Sequence, residues 1–120
     1  MFRLLLTGSR DWLDPNAIAA ELTHYAMAEG GLILVHGACP RGADAMGDAI
    51  ARRLGCQIER HPADWQRYGK RAGYVRNAKM VEAGADLCLA FISNNSKGAS
   101  MCADLAEKAG IPTRRIPASG

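Results

Sequence analysis

The sequence predicts an α/β fold: a doubly wound sandwich in which helices flank both faces of a five-stranded parallel sheet. Three observations predict it. Five short strand-like runs alternate with helical patterns, giving the order β-α-β-α-β-α-β-α-β. The first, second and fourth runs are apolar on both faces, as central parallel strands covered from both sides must be. The chain has 120 residues, 48% hydrophobic and 22% charged, enough for one packed domain and too apolar for disorder. Right-handed crossovers then lead to the strand order 3-2-1-4-5, with ligands expected beyond the carboxyl ends of the strands where that order reverses.

The elements follow in order. Strand one is RLLLT, residues 3–7. The first helix opens with Asp14 as cap and Pro15 at its first position. Its stripe is Ile18, Leu22, Tyr25 and Ala26, and Gly30-Gly31 ends it. Strand two is GLILVH, residues 31–36. The second helix runs from Ala43 to Leu54, with Ala43, Met46, Gly47, Ile50, Ala51 and Leu54 at a period of 3.6 and Gly55 as its stop. Strand three is CQIER, residues 56–60, and a long loop over 61–72 leads to a third helix at 73–83, ended by Gly84. Strand four is DLCLAFI, residues 86–92. The fourth helix covers 99–109 and stops before Gly110-Ile111-Pro112, and TRRI, residues 113–116, is strand five. A single domain over 1–117 with a loose tail at 118–120 is expected.

Bulk chemistry excludes several classes. Fifteen Lys and Arg against twelve Asp and Glu give a net charge of +3, too weak to argue for DNA or RNA. Cys39, Cys56, Cys88 and Cys102 form no C-x-x-C pair and no zinc spacing with histidine, so no metal or cofactor is expected. Reduced thiols in a cytoplasmic protein are the expected state. The opening MFRLLLTGSRDW has too short an apolar run for a signal peptide or a membrane span.

Four loops fall at the expected ligand end. In TGSRDW, Gly8 permits close backbone approach, Ser9 offers a hydroxyl and an amide, and Arg10 offers a planar fork for phosphate or carboxylate. An ordinary turn with a solvated Arg10 and a packing Trp12 serves equally well on these residues alone. HGACPRGAD matches G-x-x-x-x-G from Gly37 to Gly42 but continues with Ala43 and Asp44. The Lys and hydroxyl of a triphosphate-binding loop are missing. What is left is a helix start whose amides attract anions, with Arg41 adding charge. Asp44 either complements the helix dipole or bonds a ribose hydroxyl or an exocyclic amine. The stretch HPADWQRYGKRAGYVRNAKM combines Asp64, Trp65, Tyr68, Arg76 and Asn77. An aromatic ring there stacks on a base or shields the site. Arg76 near a helix start runs against the dipole, which favours a ligand role. In ISNNSKGAS, Ser96, Gly98 and Ala99 open the fourth helix as a second anion position or as a simple cap. His36, ending a buried strand, reads as a satisfied structural residue, and Asp44, Asp64 and Arg76 are the catalytic candidates.

Taken together, TGSRDW, VHGACPRGADAMGDAIARRLG, PADWQRYGKRAGYVRNAKM and ADLCLAF resemble the YspA, cpYpsA-related SLOG family over roughly residues 3–112. The resemblance implies a Rossmann-like fold and a nucleotide-derived ligand, either a nucleoside phosphate or an ADP-ribose-like signal. It implies contacts at Gly8, Ser9, Arg10, Gly37, Gly42, Asp44, Arg76, Asn77 and Gly98. It further implies self-association, though no residue pattern marks an interface, and small members occur in phage genomes. The wider superfamily includes cytokinin-activating phosphoribohydrolases (LOG proteins) and the DNA-processing protein DprA. The hydrolases carry P-G-G-x-G-T-x-x-E after the fourth strand. This chain has Asn94, Asn95 and Ser96 for P-G-G, keeps Gly98, and has Ala99 for Thr and Cys102 for the catalytic Glu. A binding protein, whether sensor or sequestering protein, is therefore the leading expectation. A hydrolase cleaving an N-glycosidic or phosphate bond is the second. A DprA-like single-strand binder using Lys70, Arg71, Lys79, Arg114 and Arg115 is the third, opposed by the low net charge.

Overall fold

A computed structural model describes residues 1–118. Five parallel strands, β1 (Phe2–Gly8), β2 (Leu32–His36), β3 (Gln57–Arg60), β4 (Leu87–Ile92) and β5 (Thr113–Pro117), form one sheet in the order β3-β2-β1-β4-β5. The chain winds outward from β1 to β3, returns to the far side of β1 for β4, and ends at β5. This is the expected Rossmann-like arrangement, and its switch point lies between β1 and β4.

The sheet buries both faces because successive side chains alternate. Leu4 and Leu6 point into one core with Trp12, Ile18, Leu22, Leu34, Ile50 and Phe91. Leu5 points into the other with Val35, Met80, Cys88, Cys102 and Ala106. Helices α1 (Pro15–Ala28) and α2 (Ala43–Arg53) cover the first face, while α4 (Ala72–Ala83) and α5 (Lys97–Lys108) cover the second. Each fully buried leucine contributes roughly 2 kcal/mol of transfer free energy.

Helix α1 starts where its sequence requires. The Asp14 carboxylate accepts from the amides of Asn16 (3.1 Å) and Ala17 (3.3 Å), and Pro15 follows it. Trp12 is a core residue: its ring meets Phe91 edge-on at 5.4 Å and its Nε1 donates to the Asp14 carbonyl at 2.7 Å. The segment expected as a loop over 61–72 is partly helical instead, and this corrects the reading of that loop. A four-residue helix α3 (Trp65–Tyr68) and a 3-10 turn (Gly69–Arg71) precede α4. Asp64 caps α3 by accepting from the Arg67 amide at 3.1 Å. So short a helix leaves no periodic apolar stripe, which is why sequence pattern misses it. Cys56 precedes β3 rather than lying within it. Of the expected tail at 118–120, Ala118 still donates its amide to the Ile92 carbonyl at 3.1 Å, and residues 119 and 120 lie outside the described residues.

Candidate functional site

A crevice of about 700 Å³ opens at the carboxyl ends of β1 and β4, at the switch point. This is the size range of small-molecule sites. Ten predicted site residues line it: Gly8, Arg10, Gly37, Arg41, Asp44, Arg76, Asn77, Ser96, Gly98 and Ala99. Ser9, Gly42, Ala43 and Trp65 do not.

Ser9 and Ala43 are committed to the scaffold. The buried Ser9 hydroxyl donates to the Ser93 carbonyl at 3.2 Å and accepts from the Ser93 amide at 2.8 Å, tying the end of β1 to the end of β4. The Ser9 carbonyl accepts from the Ala43 amide at 3.1 Å, which joins the start of α2 to the same knot. The loop between β2 and α2 spends other amides internally as well. Ala38 donates to His36 Nδ1 at 2.9 Å, and Cys39 donates to Asp44 Oδ2 at 3.2 Å. Anion-binding capacity therefore concentrates on the guanidinium groups and on the start of α5.

His36 has no free ring nitrogen. Its Nδ1 accepts from Ala38, so the proton sits on Nε2 and faces Asp48 at 2.7 Å. Asp48 also accepts from Arg60 and Arg52, and the Arg60 bond above all holds its carboxyl at about 2. His36 is thus a structural residue. Ala38 pays for this bond with a left-handed φ of 56°.

Asp44 and Arg76 both line the crevice. Asp44 is buried, and that burial pushes its carboxyl pKa up, against the opposing pull of the Cys39 amide and the Arg76 charge. Arg76 lies across Gly37: its Nη1 donates to the Gly37 carbonyl, and a side chain at position 37 would collide with the guanidinium. Its Nε donates to Asn77 Oδ1 at 2.8 Å. These contacts hold Arg76 in one orientation with part of its donor set turned to the crevice. Across the mouth, Asp11 accepts from the Ser93 hydroxyl (2.7 Å) and from Asn94 Nδ2 (2.6 Å), bonds that hold its carboxyl below the ordinary value.

The helix starts divide by location. α1 and α3 begin with an Asp side chain on their free amides. α2, α4 and α5, which begin at the crevice, carry no side-chain cap. Ser96 stands at the cap position of α5 without capping it, so the simple-cap account of ISNNSKGAS does not hold. Gly98 lies at this start, and a Cβ there would meet nothing within 4 Å. Packing does not require that glycine.

The remaining predicted residues take other places. Asp64 is the exposed cap of α3. Trp65 sits at the rim, 51% exposed, with the Arg10 guanidinium 6.0 Å from its ring. Tyr68 is flanked by Arg67 and Lys79, at 5.2 and 5.4 Å from its ring. The aromatic side chain that does line the crevice is Tyr74, which sequence reasoning passed over. Its only signal is its place in α4, one residue after Gly73 and three before Asn77.

Cys102, standing where the LOG hydrolases carry glutamate, is buried under the sheet. Burial above all pushes its thiol up to about 11, and that of Cys88 to about 12. Neither supplies a proton-transfer group at neutral pH. In the folded protein two of the four thiols, Cys39 and Cys56, are expected to react promptly with a thiol-selective reagent, and the other two only after denaturation. Counting titratable thiols before and after adding guanidinium checks this. Among the described residues no group of three or more His, Cys, Asp or Glu is placed to hold a metal ion, and no helix is long and apolar enough to cross a membrane.

A five-stranded parallel sheet with a basic, polar crevice at its switch point defines a Rossmann-like α/β protein, and in such folds that point is where ligands bind. The chain belongs to the YspA, cpYpsA-related SLOG family, whose sequence model matches residues 2–68. It is also 46% identical over 121 residues to the Gene 61 protein of Mycobacterium phage D29, covering 93% of this chain and 94% of that one. No solved structure matches the chain. The matched segment contains the TGSRDW and HGACPRGAD loops. Arg76, Asn77 and Gly98 lie beyond it and join the site through the fold.

Proposed function

We propose that the protein binds a nucleotide or nucleotide-derived signal in this crevice and retains it intact, as a sensor or sequestering protein. One observation carries the reading. Arg10, Arg41 and Arg76 converge with the uncapped start of α5 around a single nucleotide-sized crevice. Membership of a SLOG family supports a nucleotide-related ligand in general. Arg10, Arg76 and the amides at Gly98 and Ala99 hold phosphate oxygens, and Asp44 accepts from a ribose hydroxyl. The crevice supplies no carboxylate at the position of Cys102, which favours binding over N-glycosidic cleavage.

The nucleic-acid alternative loses two of its five basic residues to ion pairs. Arg114 bonds Glu21 at 2.6 Å, and Arg115 bonds Asp104 and Glu107, each at 2.6 Å.

Thermal-shift measurements with AMP, ADP-ribose, cyclic ADP-ribose isomers and NAD test the proposal. Ligand at about 100 times its Kd adds about 2.7 kcal/mol. For a domain of this size that raises Tm by on the order of 10 °C. No stabilisation by any of them at millimolar concentration removes the proposal. Chromatographic release of free base or phosphate converts the binder into a hydrolase.

A further inference from the structure

The crevice lining is charged at Arg10, Asp11, Arg41, Asp44 and Arg76, while α4 and α5 also contribute Tyr74, Met80 and Met101. On α4, residues Gly73, Asn77 and Met80 recur at helical spacing and share one stripe, and Tyr74 stands beside it, three residues before Asn77. Gly73 gives that stripe a bare start. A Cβ added there would meet only Arg76 Nη2 at 3.8 Å and the Trp65 ring edge at 3.9 Å, which is ordinary contact. Gly73 is therefore not needed to let the protein pack. It leaves open floor flanked by Tyr74 and by Trp65, two aromatic side chains that are each 51% exposed. The Trp65 ring also faces the Arg10 guanidinium, so the open floor adjoins the charged lining.

We propose that Gly73, Tyr74 and Trp65 form the subsite for the planar base of the ligand, with Tyr74 stacking on its face and Gly73 as the floor beneath it. The inference rests on the nucleotide reading above and adds where the base lies and which residues select for it. Two exposed aromatics beside a bare glycine, opening on arginines, provide a π-face for a base and cations for its phosphates at neighbouring positions. The proposal also accounts for a helix that tolerates glycine at its second residue, where alanine would favour helix formation.

The test compares AMP, which carries a base, with ribose 5-phosphate, which does not. Both are titrated by calorimetry into the wild type, Tyr74→Ala and Gly73→Ala. Tyr74→Ala is expected to weaken AMP about tenfold, the effect of losing one base–aromatic stack, and to leave ribose 5-phosphate within twofold. Gly73→Ala is expected to fold with unchanged or raised Tm and to weaken AMP selectively, since its methyl group occupies the floor. If both variants bind AMP as the wild type does, or weaken both ligands equally, the base subsite is overturned while the nucleotide reading stands. If the wild type binds neither AMP nor ribose 5-phosphate, nor any of ADP-ribose, the cyclic ADP-ribose isomers and NAD, the nucleotide reading falls and the subsite falls with it.

Discussion

Gly42→Ala is expected to cost the fold about 3 kcal/mol or more, from two independent penalties. The first is conformational. Gly42 has φ 75° and ψ −146°, a region that side chains other than glycine scarcely enter, at roughly 1–3 kcal/mol. The second is steric. A Cβ at position 42 would lie 2.6 Å from both Cα and the carbonyl carbon of Arg10, and closer still to the Ser9 carbonyl oxygen. These are backbone atoms, so no side chain can swing aside. Relief requires the 9–10 segment to move, and the Ser9 carbonyl is the acceptor that holds the Ala43 amide. Against a total stability of about 5–15 kcal/mol for a domain of this kind, the loss is severe. Urea denaturation of the variant checks it. Gly110→Ala is the control: Gly110 also has a positive φ, 83°, but a Cβ there meets nothing within 4 Å, so only the backbone penalty of about 1–2 kcal/mol applies. Equal losses in the two variants would remove the steric argument.

Gly42 also marks the boundary between what the sequence makes legible and what it does not. The sheet order and both cores are legible because they rest on repeated signals. Leu4, Leu5 and Leu6 must face alternate sides, and only a sheet covered twice accepts that run. The choice of loops at the ligand end follows from the same topology. The division of labour inside those loops is not legible, because it depends on which amide or hydroxyl finds a protein partner first. Ser9 and Ala43 look like ligand groups in TGSRDW and HGACPRGAD, yet each is spent joining β1, β4 and α2. Three of the motif glycines, Gly8, Gly37 and Gly42, are explained by close packing against Ala43, Arg76 and the 9–10 backbone. Gly98 is not, and its open surroundings are what a ligand phosphate approaching the start of α5 needs. Tyr74 was illegible for the opposite reason: a lone aromatic on a helix carries no periodic signal, and its place at the crevice depends on how α4 is rotated. Asp44 was legible as a position but not in its depth, since no spacing rule says that its carboxyl is buried beside Arg76.

That burial sets up the second large effect. Arg76→Ala is expected to weaken a phosphate-bearing ligand about tenfold to a hundredfold, the range for losing a charge-assisted bond. It is also expected to change how stability depends on pH. The folded Asp44 carboxyl already lies above its ordinary value of 3.8 because burial disfavours its charge. A carboxyl raised on folding contributes stability that is complete below the unfolded value and is lost as pH rises through the folded one. Arg76 opposes that rise. Without it the folded value climbs further, and the loss at neutral pH grows. Arg76→Ala is therefore expected to be destabilised more at pH 7 than at pH 4. Asp44→Asn removes the buried charge while keeping an oxygen to accept from the Cys39 amide. The double variant is expected to regain most of the stability at pH 7 and none of the ligand affinity. Urea midpoints at the two pH values, with calorimetric titration of ADP-ribose, separate the effects. Arg76 is thereby expected to stabilise the fold by offsetting the Asp44 charge and to bind the ligand with the donors that remain. A double variant that does not regain stability at pH 7 would mean that the bond from Arg76 to the Gly37 carbonyl, and not the charge on Asp44, is what the fold requires.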